Sequence, residues 1–103
     1  MSLLQEREYY KPFSYPWAFE HYKTQQHMHW LPDEVPLADD LKDYREKMSL
    51  GQKKLLSSLF RFFTQADVDV CCGYAKHYLP TFKQPEIRMM LSAFAAMEAV
   101  HQE

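Results

Sequence analysis

The sequence predicts an all-α protein with a short helix, a long helix and an antiparallel third. Three observations predict it. Only two glycines occur among 103 residues, too few for a turn-rich sheet. Residues 51–79 contain no proline while their apolar side chains keep helical spacing. Pro80 and Pro85 then bracket the short stretch TFKQ before a second apolar periodic run begins.

The elements follow in chain order. Residues 1–15 are polar and aromatic and read as an extended arm. Pro16 suits the first turn of a helix, and residues 16–30 keep Trp17, Glu20, Lys23 and His27 three or four apart until Pro32 ends the run. Residues 31–49 hold two prolines and a cluster of charge, and read as an ordered connector with a single helical turn. The long helix over 51–79 carries Leu56, Leu59, Phe63, Val70 and Tyr74 on one stripe. It spans roughly 40 Å at 1.5 Å per residue, and Pro80 is expected to end it. Pro85 opens the last helix, whose stripe is Ile87, Leu91 and Phe94. A short turn between two long helices implies an antiparallel pair.

Bulk numbers set the class. A chain of 103 residues allows one small domain at most, and 47% apolar content gives it enough to bury. The formal charge is −2 with no basic block, which argues against nucleic acid or an anionic membrane surface as partner. The first residues lack the layout of a signal peptide. No run of about 18 apolar residues is present to span a membrane. Cys71 and Cys72 are adjacent, so they diverge by about 100° on a helix and make a poor disulfide. They read as small buried thiols in a reducing cytosol.

Three polar residues interrupt the two apolar stripes. The step of four after Phe63 lands on Asp67. Burying an unpaired carboxylate costs several kcal/mol, so Asp67 must be neutralised, paired, metal-bound or exposed after all. Asp69 lies about 200° round the helix, on the solvent side, and needs no such account. On the last helix the steps after Phe94 land on Glu98 and His101. Packed antiparallel, the stripes bring Asp67 towards Glu98 and His101. Two carboxylates and an imidazole suit iron or manganese. A helical dimetal site takes a carboxylate from one helix and Glu-x-x-His from another, twice over, and this chain supplies the set once. The plainer readings are that His101 is a core or helix-end histidine and that Asp67 caps or pairs with an arginine.

Other residues carry less. His27 and His29 diverge on a helix and make a poor ligand pair. Trp17, Phe19, Tyr22 and Trp30 read as packing residues, Tyr74 and Tyr78 as core or interface, and Met89 and Met90 as gap fillers. No phosphate loop or Ser/His/Asp nucleophile arrangement is present.

The stretches HWLPDEVPL (29–37), FTQADVDV (63–70) and AFAAMEAVHQE (93–103) resemble the radical-generating small (beta) subunit of class I ribonucleotide reductase. The resemblance runs from about Trp17 to the end of the chain. It implies a ferritin-like helical bundle, with this chain as the N-terminal part of a larger dimetal domain. By that resemblance Asp67 is the first-site aspartate ligand, Glu98 the carboxylate bridging two metals, and His101 the first histidine ligand. Trp30 corresponds to the tryptophan at the near end of the radical-transfer path. The implied cofactor is a dinuclear metal centre, iron foremost, with manganese–iron and dimanganese sharing the same ligands. The implied reaction oxidises a cysteine of the large subunit, where ribonucleotides become deoxyribonucleotides.

The implied partners are the remainder of the small subunit, a second small subunit in a homodimer, and the large catalytic subunit, all in the cytoplasm. The family's radical tyrosine follows the histidine by four residues and lies past His101 by more than this chain extends. The second ligand set lies beyond it as well. The segment is therefore expected to be inactive alone and to need its remainder, in the same or a separate chain. A symmetric pairing of two copies is a third route to six ligands. The competing functions are another ferritin-like dimetal oxidase and a non-catalytic helical interaction fragment.

Overall fold

The computed structural model describes residues 2–103, and every described element is helical. Helix α1 covers Pro16–His27, α2 Ala38–Glu46 and α3 Leu50–Gly73. A π-helical turn over Tyr74–Tyr78 carries α3 into the single turn α4, Leu79–Thr81. Helix α5 runs Pro85–Gln102. None of these helices is long and apolar enough to cross a membrane.

Local chemistry explains most of these limits. Pro16 and Pro85 occupy the first turns of α1 and α5, where a missing N–H costs nothing. Helix α1 ends at His27, three residues before the expected limit, where the Met28 N–H donates to the Thr24 carbonyl and the His29 N–H to the Gln26 carbonyl. The connector holds more helix than its two prolines suggest. Pro32–Glu34 forms a 3₁₀ turn, and α2 extends over nine residues. Pro36 precedes α2 instead of interrupting it, and Asp39 and Asp40 sit in its first turn, where the helix dipole favours negative charge. Ser49 and Gln52 form a capping box at the start of α3. The Gln52 N–H donates to Ser49 Oγ at 3.2 Å, and the Ser49 N–H donates to Gln52 Oε1 at 2.9 Å.

Pro80 does not stop the long helix at Leu79. The helical path continues to Thr81. Pro80 has no N–H for the Lys76 carbonyl, and its ring crowds that oxygen. Widening the preceding turn to a π-turn accommodates the ring without breaking the helix. The Thr81 hydroxyl donates to the His77 carbonyl across the same turn.

Helices α3 and α5 are antiparallel. Arg88 donates to the Leu79 carbonyl, Tyr74 meets Phe94, the Cys71 thiol faces the Ala95 carbonyl, and Gln102 donates to the Asp67 carbonyl. Ascending one helix descends the other. The core, however, sits elsewhere than the long stripe. It lies where α1 crosses the first half of α5 and comprises Ala18, Ile87, Met90 and Leu91, with Tyr22, Leu79 and Phe82 against it. Ala18 is fully buried, and its small side chain lets α1 approach α5 closely. Met90 fills this core as expected.

Helix α3 has no buried residue among those described. Leu59, Phe63 and Val70, expected inside, are exposed, as are Leu55, Phe60 and Phe62. Helix α5 reaches only the C-terminal part of α3, so the rest of the stripe has no wall to pack on. Cys71 is half-buried and Cys72 exposed, contrary to the reading of both as buried thiols. Adjacent helical positions diverge, and only Cys71 faces α5. Trp17 and Trp30 are also partly open to solvent instead of packed.

The arm, expected to be extended, runs through turns and bends and is docked on the helices. Arg7 lies beneath it and makes a two-pronged ion pair with Glu86 at 2.9 and 3.0 Å, both side chains fully buried. The same guanidinium donates to the carbonyls of Tyr9 and Tyr10, each at 2.8 Å, and to Gln84 Oε1 at 3.2 Å. Gln84 in turn donates to the Ser2 carbonyl. The arm is thereby fixed to the first turn of α5, the helix that carries Glu98 and His101.

Candidate metal centre

Asp67 projects from α3 two turns before the π-turn, and Glu98 and His101 from the last turns of α5. The antiparallel register brings the three together. One ligand atom from each lies within 4.8 Å of those of the other two. Asp67 and Glu98 are half-buried and His101 is exposed. The step of three places Glu98 and His101 on one helix face, with Nδ1 of His101 3.4 Å from Oε2 of Glu98. Gln102 clamps the far end by donating its Nε2 to the Asp67 carbonyl at 3.3 Å. Asp69 points away, as expected, and accepts a hydrogen bond from Gln65.

The donor set fits a divalent cation of the iron or manganese kind. Two carboxylate oxygens and one imidazole nitrogen converge. Among the described residues no lysine or arginine pairs with Asp67 or Glu98.

The Trp30 ring lies 6.3 Å from the His101 ring, tilted by 34°. Tyr74 sits two turns beyond Asp67 on the α3 path, its ring 6.3 Å from Phe94. Burial pushes the Tyr74 phenol up, and the charge of Glu98 and then Tyr78 adds to the effect. His101 also borders a cleft of about 800 Å³ between α2 and α3, lined by Leu41, Tyr44, Phe60 and Phe63 among others.

Residues 7–103 match the family model described as ribonucleotide reductase, small chain. The chain belongs to that family. Among small-chain relatives, it is 48% identical over 101 residues to a probable ribonucleoside-diphosphate reductase small subunit of Invertebrate iridescent virus 6. That alignment covers 98% of this chain and 28% of the relative. A probable small subunit of Invertebrate iridescent virus 3 is 44% identical, with 98% and 27% covered. The ribonucleoside-diphosphate reductase subunit beta of Chlamydia pneumoniae is 32% identical over 91 residues, with 87% and 26% covered. The chain thus spans little more than a quarter of the length of these curated relatives. Its all-helical architecture is consistent with the ferritin-like helical fold of a ribonucleotide reductase small subunit.

The sequence reading does not single out Gln102, although its place next to His101 sets it near the neighbouring helix. Tyr74 packs against the core and meets Phe94, in keeping with its reading as a core or interface residue.

Proposed function

We propose that this chain is the N-terminal segment of the radical-generating small subunit of a ribonucleoside-diphosphate reductase, and that Asp67, Glu98 and His101 hold one half of its dinuclear metal centre. The observation that carries the reading is the convergence of those three ligand atoms within 4.8 Å in a chain of the small-chain family. The exposed α3 stripe supports a second part of it. Leu55, Leu59, Phe60, Phe62, Phe63 and Val70 make an apolar face too continuous for a segment that works alone. The remainder of the small subunit, in the same or a separate chain, would cover it and bring the second ligand set. A homodimer of small subunits and a large catalytic subunit complete the proposed assembly, in the cytoplasm.

The roles of the residues follow from their chemistry. Asp67 would be a ligand from α3, Glu98 a carboxylate able to bridge two metals, and His101 the nitrogen ligand. Iron is the first candidate, with manganese–iron and dimanganese sharing this donor set. When bound, the metals supply the oxidising equivalent that ends on a cysteine of the large subunit, where ribonucleotides are reduced to deoxyribonucleotides. The chain's part is to fix ligand geometry. The capping box and the Arg7–Glu86 pair set where α3 and α5 begin, and Gln102 ties their site ends together. Trp30, whose ring centroid is 6.3 Å from that of His101, would pass the equivalent outward.

The test is metal content. The assembled small subunit, loaded with iron(II) and separately with manganese(II), is expected to hold metal, and Asp67→Ala and Glu98→Ala are expected to lose most of it. Unchanged metal content in both variants would sink the reading.

A further inference from the structure

The first half of α3 carries charge of one sign. Between Leu50 and Phe63 it holds Lys53, Lys54 and Arg61 and no carboxylate. Lys53, Ser57 and Arg61 follow one another in steps of four, and Lys54 and Ser58 run alongside, so all five share one side of the helix. With Tyr44 of α2 they line a surface cavity of about 380 Å³ that no acidic residue borders. Among the described residues none of the three cations has an ion-pair partner. Asp40 and Asp43 of the neighbouring α2 border the apolar cleft instead, and Asp43 pairs with Lys47.

The fold does not account for this face. Lys53 and Lys54 stand in the first turn and a half of α3, where positive charge opposes the helix dipole. Like charges gathered on one side of a helix also repel. Both effects cost stability. Lys53 is nevertheless held in place, its ammonium 5.2 Å from the centroid of the Tyr44 ring. The Thr24 and Thr64 hydroxyls donate to the carbonyls one turn back, Glu20 and Phe60. Among the described residues the Ser57 and Ser58 hydroxyls make no such bond, which leaves both to serve the cavity. From Lys53 to Arg61 the face runs roughly 12 Å along the axis at 1.5 Å per residue.

We propose that this face of α3 binds a small polyphosphate anion, a linked chain of two or three phosphate groups, free or carried by a nucleotide. A linked chain reaches both ends of the face at once. Its oxygens accept from Lys53 and Lys54 at one end and from the Arg61 guanidinium, which can meet two oxygens together, at the other. The Ser57 and Ser58 hydroxyls donate between them. The anion cancels the repulsion among the cations, so its binding stabilises the protein. The site uses none of Asp67, Glu98, His101 and Trp30, and it stands apart from the metal reading.

The experiment titrates inorganic triphosphate, and separately ATP, into the assembled small subunit at low salt without divalent metal, followed by calorimetry. Wild type is compared with Lys54→Gln, with Arg61→Gln and with a control carrying Lys23→Gln and Lys83→Gln, two exposed lysines outside α3. Thermal unfolding of each protein is recorded with and without triphosphate. Wild type is expected to bind one triphosphate saturably and to melt at a higher temperature with it. Each α3 variant is expected to bind roughly tenfold more weakly, and its melting temperature to rise less. The control is expected to match wild type. Equal affinity for triphosphate and ATP assigns recognition to the phosphates, and tighter binding of ATP adds the nucleoside; both uphold the site. Absence of saturable binding to wild type overturns it. Wild-type affinity in both α3 variants overturns it as well. So does a control weakened as much as they are, since that outcome assigns the binding to diffuse surface charge.

Discussion

Arg7 and Glu86 are 79 positions apart in sequence and form a two-pronged ion pair with both side chains fully buried. Every face of the guanidinium is used, since it also donates to two arm carbonyls and to Gln84. The pair, with the Gln84 to Ser2 hydrogen bond beside it, joins the irregular arm to the start of α5.

Removing one partner leaves the other charged and buried, which typically costs about 3–5 kcal/mol. Arg7→Met is therefore expected to lower the stability of the assembled protein by that order, read as the shift in a urea unfolding midpoint. Glu86→Gln keeps a hydrogen-bonding shape and should cost less. A double variant, Arg7→Met with Glu86→Leu, should recover part of the loss, because no charge is then stranded. Equal losses in the single and double variants would contradict the account.

The Ser49–Gln52 capping box satisfies two N–H groups at the start of α3. Ser49→Ala is expected to cost about 1 kcal/mol. Thermal unfolding checks it, and Ser49→Asp should restore the loss through its own carboxylate oxygen.

The Trp30 and His101 ring centroids lie 6.3 Å apart, and Trp30 offers no metal ligand. Trp30→Phe is expected to leave metal content at the wild-type level and to abolish turnover with the large subunit. Wild-type turnover in this variant would remove Trp30 from the proposed route.

Tyr74 gives a pH dependence whose sign can be worked out. Its phenol is raised by burial first and by Glu98 second, so the fold favours the protonated form. The unfolded chain loses this proton first, near the ordinary value of about 10. The contribution is present below that value and is lost as pH rises through the folded value. Stability should therefore fall more steeply above about pH 10 in wild type than in Tyr74→Phe. Parallel alkaline melting curves would refute it.

Much of the fold was legible because helices advertise themselves locally. The period of apolar residues marked α3 and α5, and Pro16 and Pro85 marked two starts. Asp67, Glu98 and His101 were legible as a group because each interrupts an apolar stripe in phase with it. Helix α2 was underread because its charged residues carry little apolar period. The passage through Pro80 was misread because a proline's effect depends on whether the turn before it can widen. Buried thiols were expected at both Cys71 and Cys72, but burial depends on which helix lies opposite.

The sequence by itself determined the helical class, the antiparallel order of α3 and α5, and the residue types that converge on the candidate centre. These follow from backbone periodicity and from fixed steps along one helix, which need no knowledge of distant neighbours. Only the tertiary structure decided that Arg7 is buried on Glu86, that the Trp30 ring lies near His101, and that the core sits between α1 and α5 instead of along α3. Those are contacts between segments far apart in the chain. Whether an apolar face is covered, or a charge paired, is fixed by what folds against it, and no local pattern encodes that.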